Sequence, residues 1–194
     1  FRSSGLHQSK AIFKIFVSGK NGPQQILDER NHIFGAFMPS DLRLAQAIAA
    51  ATGEPVTAHV RRLLDRFGGA DAKEQRTFQG HDLGFSGMHV TTPTILALAQ
   101  TWLDGGVWDG ERVVPADYAA LAPIPSPASL GSDDVGDWSL GYGHSFWSQR
   151  HGYRGDGAFG QYGVVFEDKD TVLILQSSSS NQQEQLTCAW EALL

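Results

Sequence analysis

The chain reads as an α+β (mixed α/β) fold, and three features predict it. Helical segments with recognisable starts and stops fill the stretch from about 36 to 122. Short segments rich in Val, Ile, Phe and Tyr follow, near 142 to 147, 159 to 166 and 171 to 176. Only Glu167-Asp-Lys-Asp170 separates the last two, too few residues for a parallel crossover, so they pair as an antiparallel hairpin. The expected architecture is an antiparallel sheet of about three strands with flanking helices.

Residues 1 to 35 carry weak periodicity, with one apolar patch, Ala11-Ile-Phe-Lys-Ile-Phe-Val17, and a turn signal at Gly19-Lys-Asn-Gly-Pro23. A helix opens at Ser40 as cap, places Leu44, Ala47, Ile48 and Ala51 on one apolar side, and stops at Gly53 before Pro55. A second runs from about Pro55 to Arg66. Thr92 and Pro93 open a third, whose Ile95, Leu96, Ala99, Trp102 and Leu103 fall at core-packing spacing before Gly105-Gly106. From Pro123 to Val135, proline, serine and glycine without apolar period predict a surface loop rather than a linker, since neither flank alone has elements enough to enclose a core. The last helix opens at Asn181 with Glu184 three residues on, a variant capping box, and turns Leu186, Trp190 and Leu193 inward. The expectation is one domain over 1–194: a helical part at about 36–122, a loop at 123–135, and a sheet with its terminal helix at about 138–194.

Composition narrows the function. At 194 residues and 41% hydrophobic the chain can bury a real core. Its 15 basic and 21 acidic side chains give a net charge of −6, and no basic stripe interleaves with aromatics, which argues against nucleic acid as a partner. No stretch approaches the ~20 apolar residues of a membrane span. The lone Cys188 cannot form an internal disulfide, and its helical neighbours suggest a buried, inert thiol. Compartment is left open by these features.

Several motifs fail on context. Gly155-x-Gly157-x-x-Gly160 matches the dinucleotide fingerprint formally, but a β-type segment follows it where a helix should hold the pyrophosphate. Its glycines suit instead a strand edge approached closely by a ligand or another backbone. The seven histidines lack i, i+4 spacing on a helix and any accompanying Cys-x-x-Cys or His-Glu-x-x-His, so no metal and no cofactor is expected. His144 and His151 bracket an aromatic strand, where a structural role competes with a functional one. Gly-x-Ser-x-Gly is absent, and none of the five lysines has a serine three residues upstream.

The ordered strings Gly84-Phe-Ser-Gly87-Met-His-Val-Thr-Thr92-Pro, Trp102-Leu-Asp-Gly-Gly106-Val-Trp108-Asp-Gly110, Gly141-Tyr-Gly-His-Ser-Phe-Trp147 and Tyr153-Arg-Gly-Asp-Gly-Ala-Phe-Gly-Gln161 resemble the serine hydrolases of the β-lactamase family. They are most similar to the branch of class C β-lactamases, penicillin-binding proteins and esterases. Thr52-Gly53 and Ser3-Ser4-Gly5-Leu6 resemble that family's earlier landmarks, so the likeness extends over nearly the whole chain, strongest from about 80 onward. It implies a partial β-lactamase/transpeptidase-like fold.

Carried over, the resemblance places the nucleophilic serine and its lysine before Phe1, so the chain is expected to lack the Ser-x-x-Lys pair and to be inactive alone. Phe37, or Ala36 beside it, stands at the second-motif position, where the family's tyrosine would relay protons. Gly155, Asp156 and Gly157 occupy the third motif without its charged first residue, and the backbone amide of Ala158 would be one of two oxyanion-hole donors. Tyr142, His144, Phe146, Trp147, Tyr153, Arg154 and Phe159 are the candidate substrate-binding lining. The small-molecule substrate would carry an acyl group: a β-lactam, peptide, amide or ester. The resemblance also makes 171–176 a central strand whose amino-terminal partner is missing, so a bare edge and self-association are expected. The alternative is a β-lactamase-like module that binds or supports without catalysis.

Overall fold

The computed structural model describes residues 12–13, 39–70, 72–77, 80–83, 87–131 and 135–193, and these fall into two compact units. One draws on Gly19–Ile95; the other comprises the described residues of Phe1–Ser18 and Leu96–Leu194.

In the first unit, helices α1 (Pro39–Thr52) and α2 (Val56–Arg66) are followed by a small antiparallel pair, β2 (Lys73–Glu74) and β3 (Met88–His89). The inward face of α1 differs from the one the sequence suggests: Ala45 is buried and Ile48 half-buried, while Leu44, Ala47 and Ala51 are exposed. Alanine occupies so much of this helix that rotating it by one residue forfeits little apolar burial, and Leu44 is the side chain left outside. Pro55 precedes α2 with φ −63. No adjacent side chain caps that helix; a distant carboxylate does, as Thr57 donates its backbone N–H at 2.9 Å and its hydroxyl at 2.8 Å to Asp82 Oδ2. Asp82 is buried and paired with Arg76 Nε at 3.1 Å, which ties the start of α2 to the β2–β3 segment.

Helix α3 (Thr92–Leu103) follows. Ala99 is buried as its spacing predicts, and Ile95, Leu96, Trp102 and Leu103 are half-buried. Two threonines are buried more completely. Thr101 satisfies its hydroxyl by donating to the Ala97 carbonyl at 2.7 Å, and Thr94 meets the Thr91 hydroxyl at 2.9 Å.

In the second unit a hairpin, β4 (Val107–Trp108) and β5 (Glu111–Arg112), turns on Asp109 and Gly110, both at positive φ (49 and 79). That pair of left-handed residues is the signature of a tight two-residue hairpin, and Asp-Gly supplies it. Helix α4 (Ala116–Leu121) leads into the Pro/Ser/Gly segment, which makes a 3-10 turn at Pro127–Ser129. Ser126 N–H donates to the Tyr142 carbonyl at 2.9 Å, and Tyr142 N–H donates to Ser129 Oγ at 2.8 Å, so the loop is fastened to Tyr142. A second 3-10 turn, Gly136–Leu140, precedes the sheet.

The sheet has five strands in the order β1-β9-β8-β7-β6. These are β1 (Ile12–Phe13), β6 (Trp147–Ser148), β7 (Tyr153–Gly157), β8 (Gln161–Phe166) and β9 (Thr171–Leu175), all antiparallel neighbours except β1, which runs parallel to β9. The glycine-rich stretch, whose glycines suit a strand edge, forms strand β7 over Tyr153–Gly157, with Tyr153, Gly155 and Gly157 on one face and Arg154 and Asp156 on the other. Two sequence expectations change here. Of 142 to 147, only Trp147 enters a strand, beside an isolated bridge to Tyr142. The edge expected to be bare is covered over two residues, since Ile12 and Phe13 pair with Leu173 and Ile174.

Helix α5 (Gln182–Leu193) closes one sheet face as its sequence predicts. Leu186, Ala189 and Trp190 pack on Tyr162, Val164, Phe166, Leu173 and Leu175, with Leu193 and Trp138 at the margin. Asn181 bonds Glu184 in the variant capping box. Cys188 lies on the other side of this helix and is exposed, which corrects the buried thiol expected from its neighbours.

Leu186 is fully buried. Leu186→Ala is therefore expected to cost about 2–5 kcal/mol in urea unfolding, whereas Leu44→Ala on the exposed side of α1 should move the midpoint hardly at all.

Candidate functional site

The geometry of the site follows from the β7–β8 hairpin. Pairing runs from Tyr153↔Val165 to Gly157↔Gln161, so Ala158, Phe159 and Gly160 form the turn. Cross-strand partners share a sheet face. Tyr162 and Val164 sit under α5, and so their partners Asp156 and Arg154 point to that side as well. Tyr153, Gly155 and Gly157 belong to the opposite face. Gly155 lies across from Gly163, and a Cβ built on Gly155 would meet nothing within 4 Å. A glycine pair thus leaves bare backbone on that face, two residue pairs from the turn's base at Gly157↔Gln161.

Ala158, the proposed amide donor, is exposed at the tip, followed by Phe159 at φ 67 and Gly160 at φ 81. A bulky residue in the left-handed region is costly, and it persists only where neighbours hold it. Ser177 and Ser179 are such neighbours: the Phe159 carbonyl accepts from Ser177 Oγ at 2.7 Å and from Ser179 N–H at 3.2 Å.

Behind the strand lies a polar cluster. Arg154 is fully buried, donates from Nε to Asp156 Oδ2 at 3.1 Å and from Nη1 to the Ser148 carbonyl at 3.3 Å, and sits 4.6 Å above the Trp138 ring. Trp138 Nε1 donates to the same Asp156 oxygen at 3.0 Å. Burial raises the Asp156 carboxyl above the ordinary carboxylate range, opposed by the charge and hydrogen bond of Arg154 and by the bond from Trp138. Burial likewise pulls the Arg154 guanidinium below its usual value, against the attraction of Asp156. Each charge is the other's main compensation. A neighbouring hub centres on buried Asp137, which accepts from Arg150 Nε at 2.9 Å and from Trp190 Nε1 at 3.2 Å.

The candidate lining residues divide between the two faces. Phe146 packs against Trp102 at 4.6 Å and Tyr153 at 5.4 Å between ring centroids, on the Gly155 side. Tyr153 also donates its hydroxyl to the Trp102 carbonyl at 3.3 Å. Trp147 pairs across the ladder with Arg154, on the other side, and its ring lies 4.7 Å from exposed Tyr142. His144 is exposed beside Tyr118, at 6.2 Å, and Phe159 is half-buried at the turn. The structure thus brings Phe146, Tyr153, Gly155 and Gly157 onto one face, and leaves Tyr142, Trp147, Arg154 and Asp156 on the other or at its edge. Phe37 lies outside the described residues.

Sequence reasoning missed Trp138, Ser177 and Gln185. Trp138 carried a weak signal as an aromatic just ahead of Gly-Tyr-Gly, but Ser177 sits in a serine run that reads as plain loop. Among the described residues no group of three or more His, Cys, Asp or Glu could hold a metal, and no helix is long and apolar enough to cross a membrane.

The fold is shared with a solved structure named "Putative 6-aminohexanoate-dimer hydrolase from Bacillus anthracis", with a TM-score of 0.62 and 16% identity over 78% of this chain and 40% of that one. The chain therefore spans 40% of the length of the structure it matches. Identity this low carries the fold alone: a partial β-lactamase-like α+β fold, as the sequence resemblance implies. No family model and no curated protein matches the sequence.

Two outcomes are expected of this site. Arg154→Met strands the Asp156 carboxylate in a buried setting and should cost about 3–5 kcal/mol of stability, read by chemical unfolding. Burial raises the hydroxyl pKa of both Tyr153 and Tyr162 above the free phenol value. Their neutral form is the one folding favours, so their contribution to stability is complete below about pH 10 and is lost as pH climbs beyond it. In an alkaline absorbance titration Tyr153→Phe and Tyr162→Phe should each remove amplitude from the unfolding-coupled step only.

Proposed function

We propose that this chain is the carboxy-terminal portion of a β-lactamase-like serine hydrolase, of the branch that holds class C β-lactamases, penicillin-binding proteins and related esterases, and that it does not acylate by itself. In this reading a serine and lysine on an upstream segment supply the nucleophile and its base. The serine oxygen attacks the acyl carbon of a β-lactam, peptide, amide or ester, the leaving group departs with a proton, and water then hydrolyses the serine ester. The oxyanion that forms at each addition is held by two N–H groups, that of Ala158 and that of the serine itself.

The observation that carries the reading is the exposed Ala158 at the mouth of a strand whose adjoining face is bare glycine. Bare backbone lets a flat acyl group lie against the strand, and Phe146, Tyr153 and Phe159 are the side chains nearest in register to line it. Tyr142, His144 and Trp147, assigned to the lining by resemblance, lie away from this face: Trp147 pairs with Arg154 on the other side and packs on Tyr142, and His144 lies beside Tyr118. Arg154 and Asp156 act from the rear of the strand, fixing its height rather than touching substrate. With phenylalanine at position 37, the proton relay that a tyrosine hydroxyl would perform falls to the lysine or to water. The solved structure that shares this fold bears the name "Putative 6-aminohexanoate-dimer hydrolase", which makes the 6-aminohexanoate dimer a probe beside esters and cephalosporins.

The 194-residue chain should show no turnover of a chromogenic cephalosporin, a p-nitrophenyl ester or the 6-aminohexanoate dimer. Upstream coding sequence should hold a Ser-x-x-Lys within roughly 80 residues of Phe1, and its inclusion should bring turnover of at least one of the three. Turnover by the chain as it stands would contradict the reading; an extended chain with the motif but no hydrolysis would favour a binding or structural module.

A further inference from the structure

The turn that carries Ala158 is held in a strained shape by groups from outside the hairpin, and that arrangement has a chemical use. Phe159 sits at φ 67, a region disfavoured for a residue with a bulky side chain. The turn is not relaxed by its own hydrogen bonds alone. Its Phe159 carbonyl is gripped by the Ser177 hydroxyl at 2.7 Å and the Ser179 amide at 3.2 Å. Ser177 is itself oriented: Gln185 donates Nε2 to Ser177 Oγ at 2.5 Å, and the Ser179 N–H that reaches the Phe159 carbonyl is shared with the same oxygen at 3.1 Å. An oxygen that receives two donors has its own proton left for the Phe159 carbonyl, so the direction of that bond is fixed. Gln161, the first residue of β8, also donates its side-chain amide to the Ser177 carbonyl.

Packing reinforces the grip. A Cβ on Gly160 would fall 1.8 Å from Gln185 Oε1 and 2.8 Å from Ser177 Oγ, and Gly160 has φ 81, so any larger residue there would strain the backbone and push Gln185 off Ser177. Gln185 stands on α5 one position before Leu186, the most deeply buried side chain of that helix. The turn is thereby referred to the core helix through one hydroxyl.

We propose that Ser177, oriented by Gln185, is a positioning residue: by holding the Phe159–Gly160 peptide through its carbonyl it fixes the three-residue turn, and with it the Gly157–Ala158 peptide whose N–H is preorganised as an oxyanion donor. This rests on the hydrolase reading above. An oxyanion donor contributes only if it already points where charge develops, and a turn free to relax from φ 67 would carry the adjoining Ala158 peptide out of place. The serine touches no substrate; it acts through the Phe159 carbonyl.

The test has two arms. In the 194-residue chain, amide hydrogen exchange is followed in the parent, Ser177→Ala and Ser177→Thr. Ser177→Ala should speed exchange at Ala158 to Gly160 by at least about 10-fold, leave protection across β8 and β9 unchanged, and be reversed by threonine, which keeps the hydroxyl. Exchange at the turn that is unaltered in Ser177→Ala overturns the proposal. In the chain extended upstream to a Ser-x-x-Lys, Ser177→Ala should lower kcat about 10- to 100-fold with KM little changed, and threonine should restore it. If the extended parent hydrolyses substrate and Ser177→Ala matches its kcat, the positioning role fails while the hydrolase reading stands. If the extended parent hydrolyses nothing, the hydrolase reading fails and takes the catalytic purpose of the grip with it.

Discussion

The alternation of side chains across β7, β8 and β9, pinned by the burial of one face under α5, is the constraint on which the rest of the sheet depends. Leu186 and Trp190 demand Tyr162, Val164, Leu173 and Leu175 on their side. Strand period then leaves no freedom: Gly163 and Gly155 must occupy the opposite face, and the turn must begin after Gly157. A slip of one residue would bury Gln161 and expose Tyr162. The bare strip and the exposed Ala158 are thus consequences of core packing elsewhere, which is how a site made mostly of backbone can be specified by sequence.

Two further interactions convert that register into a fixed geometry. On the α5 side, Arg154, Asp156 and Trp138 fill the space beside the strand with a compensated ion pair, expensive to form but more expensive to break singly. At the turn, Ser177 and Gln185 hold Phe159 in a conformation that an isolated hairpin would abandon. Strand and turn are fixed by different elements, so damage to one need not disorder the other.

Much of this was legible in the sequence where punctuation was strong. Thr92-Pro93 and Gly105-Gly106 bound α3, Asn181 with Glu184 opens α5, and the short acidic link before Thr171 forces a hairpin. Where side chains were small the reading weakened. The face of α1 was misassigned because alanine gives no direction, and Cys188 was placed inside though the inward side is set by Leu186, Ala189 and Trp190. Strand β7 is weakly signalled because glycine contributes neither hydrophobicity nor strand propensity, and pairing with β8 and β6 makes it a strand. Asp109-Gly110 is a plain hairpin signal, and β4 and β5 pair across it. The pairing of Ile12–Phe13 with β9 is a long-range contact, and no local pattern announces such contacts. At the candidate site, the motif residues are assigned by resemblance, and their division between two faces, like the bonds that Ser177 makes to the turn, comes from the fold.

The central claim is that these residues form one wall of an acylating pocket whose nucleophile belongs to a preceding segment. Intact-mass spectrometry after incubation with a fluorophosphonate and with a β-lactam tests it most directly. The account predicts no covalent adduct on the 194-residue chain and a single adduct, on the serine of a Ser-x-x-Lys, once the upstream segment is present. A stoichiometric adduct on the 194-residue chain itself, or an extended chain that bears the motif and stays unlabelled by both reagents, would contradict it.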